Sequence, residues 1–123
     1  MNTKRKGSLA LGVAIDHFIA KGITVLLPIA DCDLYDLVVD DGGLKKIQCK
    51  YTDDKESSGG YNIDLRTFGG YRKKTYHNRY KNEDFDFLFI YCSNGKKYLI
   101  PAEKVITKAH IVVGSRNWNE FRC

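Results

Sequence analysis

Apolar residues at 9, 10, 13, 14 and 18, with a polar break at 16 and 17, carry the period of an amphipathic helix over residues 8–21, SLALGVAIDHFIAK. Ser8 is placed to cap its start and Gly22 to stop it. ITVLLP at 23–28 is wholly apolar and reads as a strand in the buried middle of a sheet. After a loop at 30–34, residues 35–40 and 44–52 read as two arms of a hairpin that turns at Gly42 and Gly43. The Ser/Gly-rich DDKESSGG then leads into YNIDLRTF, whose alternation predicts a further strand. Residues 69–83, GGYRKKTYHNRYKNE, show no period and read as a long loop. FDFLFIYC at 85–92 and KKYLIP at 96–101 flank Ser-Asn-Gly, a hairpin signal, and Ala102 to Thr107 reads as a short helix. The tail has no assigned element. The order of elements predicts one α/β domain over residues 1–123, with a mixed sheet flanked by helices.

Composition narrows the class. With 43% hydrophobic and 28% charged residues, the chain has a globular balance and no signature of disorder. The longest apolar run is too short to cross a bilayer and contains Pro28. The basic start, MNTKRKGS, precedes a helix broken by Asp16, His17 and Lys21, unlike a signal peptide, so a cytoplasmic protein without a membrane partner is expected. Cysteines at 32, 49, 92 and 123 form no CxxC pair, which argues for reduced thiols over a zinc knuckle or redox dithiol. His17, His77 and His110 are too dispersed to suggest a histidine-based site. The formal charge of +5 permits a nucleic-acid partner without requiring one.

The candidate chemistry sits in KKIQCKYT. Alternate strand residues share a face, so Gln48 and Lys50 point one way while Ile47, Cys49 and Tyr51 point the other. Asp36, on the other hairpin arm, falls near residues 49–50. A carboxylate, an amide oxygen and an ammonium then converge. Asp36 and Gln48 offer the hard oxygen ligands that suit Mg²⁺, with Mn²⁺ as a substitute, and Lys50 can orient a water or neutralise a phosphate. Spacing alone favours a half-exposed hairpin with an ordinary cross-strand ion pair. Tyr35 and Tyr51 read as packing residues, Asp40 and Asp41 as turn formers, and Asp84 and Asp86 as strand-end groups. Arg72, Lys73, Lys74, Arg79 and Lys81, interleaved with Tyr71, Tyr76 and Tyr80, are either a DNA-contacting segment or a solvated basic loop. Lys4, Arg5 and Lys6, ahead of the first helix, would add phosphate contacts.

Asp36 followed by Gln48-Cys49-Lys50 resembles the signature of the PD-(D/E)XK nucleases, with Gln at the usual Asp or Glu position. Over residues 5–101, the KG helix, the YD strand and the YLIP hairpin are similar to the branch of intron-encoded homing endonucleases, where a Gln also occupies that place. The resemblance implies a restriction-endonuclease-like core, Mg²⁺-dependent cleavage of double-stranded DNA, and a homodimer or homotetramer. It also implies a glutamate on the first helix, four residues after Gly7, where this chain has Leu11. Two opposite charges at 4 Å interact by about 4 kcal/mol in a surface-like environment, so a missing carboxylate weakens a metal site substantially. Asp16 lies five residues beyond Leu11, about 140° around the helix, and is poorly placed to replace it. The expectation is therefore a chain that binds DNA but cuts it slowly or not at all, the extreme being a DNA-binding relative without catalysis. A Holliday-junction resolvase is the alternative substrate class.

Overall fold

The computed structural model describes residues 1–30, 34–71, 74–80 and 84–123, following 67–79 by their backbone. It opens with an α-helix, α1 (Thr3–Ala20). The strands are β1 (Thr24–Leu26), β2 (Leu37–Asp40), β3 (Leu44–Thr52), β4 (Tyr61–Asp64), β5 (Arg66–Tyr71), β6 (Lys74–Arg79), β7 (Phe87–Cys92), β8 (Lys97–Pro101) and β9 (His110–Val113). Short 3-10 turns cover Ala102–Lys104 and Asn119–Phe121.

Five strands form the main sheet in the order β1-β2-β3-β7-β8, with β3 and β7 parallel and the other neighbours antiparallel. The predicted hairpin of β2 and β3 turns through Gly42, whose φ of 71° is the left-handed conformation that glycine adopts without strain. On one face α1 lays Ala10, Ala14 and Phe18, spaced four residues apart, over Leu37, Val39, Ile47, Cys49 and Phe89. The other face carries Leu88, Ile90, Tyr98 and Ile100, covered by Tyr61 and Ile63 of β4 and Ile111 and Val113 of β9. Each Leu, Ile or Phe buried this way contributes about 1.5–3 kcal/mol, so both faces of the central strands are held by packing. β7 is apolar at every position but Tyr91 and Cys92 because it is covered on both sides.

Several expectations need correction. The helix starts at Thr3, where Asn2 Oδ1 accepts the Arg5 amide at 2.9 Å, so Asn2 and not Ser8 is the cap. Lys4, Arg5 and Lys6 consequently lie in its first turn instead of ahead of it. ITVLLP is not the middle of the sheet: its strand is the edge strand β1, and Leu27 is 57% exposed. An apolar run does not by itself distinguish a covered strand from an edge that presents its side chains outward. YNIDLRTF divides at Leu65, with β4 pairing with β9 and β5 with β6. Within the expected loop at 69–83, residues 69–71 and 74–79 are strand, favoured by their Tyr and Thr residues despite Gly69-Gly70, and 72–73 and 81–83 lie outside the described residues. The expected helix at 102–107 is a single 3-10 turn. Among the described residues, one helix covers the sheet and a strand pair covers its far face, in place of flanking helices.

Candidate active site

Asp36 stands one residue before β2 and is held from both ends. Its amide donates to the Ile47 carbonyl at 2.8 Å, and its carboxylate Oδ2 accepts the Cys49 amide at 2.7 Å. Since Leu37 is opposite Ile47, Asp36 lies against Gln48 at the start of the hairpin's shared edge. Gln48 and Lys50 are in register with Leu88 and Ile90 of β7, so they share the sheet face away from α1. Gln48 Nε2 donates to the Cys49 carbonyl at 3.4 Å, which turns its amide oxygen away from that carbonyl.

Lys50 is half-buried, with Nζ 5.4 Å from the ring centre of Tyr80. Burial pulls its pKa below the usual lysine value, while the carboxylates of Asp64 and Asp36 act in the opposite direction. Tyr80 is pushed above the usual tyrosine range by burial, then by Asp36, Asp84 and Asp64. The Cys49 thiol is raised well above its ordinary value by burial and by Asp36, so at neutral pH it packs as a neutral group. Asp64 is a residue that sequence spacing missed, and Tyr80, read from the sequence only as part of the basic segment, is a neighbour of Lys50. The signal for Asp64 was the alternation of YNID, which puts Asn62 and Asp64 on the polar side of a strand.

Leu11 shares a cavity with Asp36. The cavity, of about 160 Å³, is also lined by Leu27, Pro28, Ile29 and Tyr35, so the helix offers Asp36 an apolar wall. Asp16 is exposed and not part of that cavity. Tyr35 packs against one core and Tyr51 against the other, the latter 5.9 Å from Tyr91 between ring centres. Asp86 Oδ2 accepts the Lys46 amide at 2.8 Å, a strand-end role.

The candidate DNA contacts are spread more widely. Lys4 and Arg5 are exposed, and Lys6 Nζ pairs with Asp53 at 3.1 Å. Lys74 and Arg79 are the two ends of β6, opposite Tyr71 and Arg66. Arg72, Lys73 and Lys81 lie outside the described residues.

A family model described as PD-(D/E)XK endonuclease matches residues 1–121. The chain belongs to the PD-(D/E)XK endonuclease family. The solved structure of a bacterial homing endonuclease, I-Ssp6803I, matches it with a TM-score of 0.85 at 30% identity, over 99% of this chain and 89% of that one. No curated protein matches. Family membership makes the protein a nuclease by descent.

Nucleases of the PD-(D/E)XK family use divalent metal ions. Among the described residues no group of three or more His, Cys, Asp or Glu side chains is placed to hold one. The donors at the hairpin are hard oxygens, one carboxylate and one amide, set against an apolar wall. Such a set fits a divalent ion that keeps several waters and takes a phosphate oxygen from the substrate. It supplies a single negative charge. Among the described residues, no helix is long and apolar enough to cross a membrane.

Proposed function

We propose that this PD-(D/E)XK endonuclease cuts double-stranded DNA at a specific site in an Mg²⁺-dependent reaction, as a homing endonuclease, and that Leu11 makes it slow. The observation that carries the reading is the Asp36 carboxylate, fixed by the Cys49 amide at 2.7 Å beside Gln48 and Lys50. Asp36 and Gln48 would hold the metal, which polarises the scissile phosphate and makes its bound water more acidic. Lys50 has the role of a cation at the edge of a half-buried site, where it orients the attacking water and neutralises charge on the phosphate. Lys4, Arg5 and Lys6, in the first turn of α1, and Lys74 and Arg79 on β6 would supply backbone contacts, joined by Arg72, Lys73 and Lys81.

A small chain covers a long target by assembling, so a homodimer or homotetramer is part of the proposal. Its support is the concentration of exposed apolar side chains between residues 19 and 34: Ile19, Leu26, Leu27, Ile29 and Leu34. A binding protein without catalysis is the second reading, favoured by the cavity that sets Leu11 against Asp36.

Incubation with duplex and four-way-junction DNA in Mg²⁺ or Mn²⁺ separates these readings. Slow duplex cleavage that depends on the metal is expected. Cleavage of junctions alone would identify a resolvase. Binding of duplex without cleavage in either metal would leave the non-catalytic reading.

A further inference from the structure

We propose that Tyr80 is a positioning residue for Lys50: the face of its ring fixes the ammonium where the attacking water and the scissile phosphate are to meet. The proposal rests on the nuclease reading above and deepens it by naming what sets the place of the proposed cation.

Lys50 stands on β3 opposite the fully buried Ile90 of β7, so its stem rises from a packed part of the sheet. Among the described residues, no hydrogen bond or ion pair holds its ammonium, and Asp64 and Asp36 act on it only through their charge. What it meets is an aromatic face. Nζ is 5.4 Å from the ring centre of Tyr80, inside the roughly 6 Å over which a ring quadrupole attracts a cation. A lysine side chain has many rotamers, and a half-buried ammonium without a hydrogen-bond partner has little else to select one. Gln48 lies two residues away on the same face, so a swing of Nζ off the ring would change its separation from that proposed ligand.

The ring itself is held firmly. Tyr80 is 8% exposed and stands edge-on against Phe85, with ring centres 4.9 Å apart and planes at 85°. Phe85 is 1% exposed and belongs to the same core as Leu88 and Ile90. Packing explains why a large apolar side chain follows β6 at this point, but an aliphatic residue would fill the space against Phe85 as well. The contact with Lys50 is what an aromatic face adds, and it grows stronger as water is withdrawn from the cation.

The test is single-turnover cleavage of duplex DNA in Mn²⁺, at protein concentrations up to saturation, by the wild-type protein, Tyr80→Phe, Tyr80→Leu and Tyr80→Met. Tyr80→Leu should cut roughly tenfold more slowly at saturation with an unchanged half-saturating concentration, because the ring acts on the reacting complex and not on DNA binding. Tyr80→Phe keeps the ring face and should cut at the wild-type rate. Tyr80→Met fills the space with an unbranched chain, should match the leucine variant, and serves if that variant folds poorly. A second readout needs no cleavage: the ring current of residue 80 should move the Lys50 ε-protons upfield in the wild-type and phenylalanine proteins, and the shift should vanish in the other two. Folded leucine and methionine variants that cut at the wild-type rate would overturn the proposal and leave the nuclease reading intact. So would an equal loss in Tyr80→Phe, which would assign the effect to the hydroxyl, or Lys50 ε-protons at their ordinary position in the wild-type protein. A wild-type protein that cuts no duplex in Mg²⁺ or Mn²⁺ would instead remove the nuclease reading on which this one stands.

Discussion

The two halves of the candidate site follow different rules. The strand half, Asp36 with Gln48 and Lys50, is polar where the sheet could have been filled with apolar residues, and its carboxylate is tied by a 2.7 Å hydrogen bond. The helix half is apolar at Leu11, as ordinary packing against the sheet would have it. Burying polar groups in a sheet costs free energy unless they are paired, whereas a half-buried leucine on a helix needs no further reason. The strand half therefore stands out against ordinary packing, and in the proposed function the helix half sets how strong the chemistry is.

The largest expected effect breaks the strand half. Asp36→Asn keeps an oxygen to accept the Cys49 amide, so the hairpin should fold as before. It removes the single negative charge among the proposed ligands. Cleavage should fall by about 100-fold or more, with duplex binding in the absence of metal largely retained. Equal cleavage by the variant would show that the metal is held elsewhere.

The next effect sharpens the contrast by changing the helix half. Leu11→Glu would put a second carboxylate on the wall that faces Asp36. Removing a half-buried leucine should lower stability by about 1–2 kcal/mol, read as a lower Tm. Against that loss, the added charge should tighten the metal site and raise cleavage by roughly tenfold or more. Tighter Mn²⁺ binding, measured by calorimetry, is a second readout. A variant with unchanged metal affinity would mean that position 11 and Asp36 share a cavity without sharing an ion.

The same division explains what could be read without coordinates. Gln48 and Lys50 were legible because strand period is two and polar residues on a central strand stand out. The hairpin was legible because Asp-Gly turns and alternation agree. The placement of ITVLLP was not, since an apolar run looks alike at the centre and at the edge of a sheet, and only the pairing of β1 with β2 alone shows which it is. The ribbon of β5 and β6 was obscured by Gly69-Gly70 and by the density of cations, which suggest loop until a partner strand supplies the hydrogen bonds. The alternation of YNID marks Asp64 only as a polar strand position; that Asp64 and Tyr80 approach Lys50 follows from tertiary packing alone.

The smallest predicted effect tests whether the helix half is built for packing. His17 is buried on the underside of α1, 5.2 Å from Phe18 and 5.5 Å from Phe89 between ring centres. Burial lowers its pKa below the ordinary value of 6.5; Lys97 and Lys21 add to the shift and Asp16 opposes it. In the window from 6.5 down to the folded pKa, the unfolded chain binds the proton and the folded chain does not, so acid favours unfolding. The His17 contribution is complete above pH 6.5 and is lost as the pH falls below it. Thermal melts should show Tm falling by a few degrees between neutral pH and mildly acid pH. His17→Phe keeps a ring against Phe18 and Phe89 but cannot titrate, so it should flatten this part of the profile while leaving duplex cleavage unchanged. If the variant retains the full acid dependence, the titrating group lies elsewhere. If it instead loses cleavage with its stability intact, the helix would be doing more at the site than packing, and the contrast between the two halves would fail.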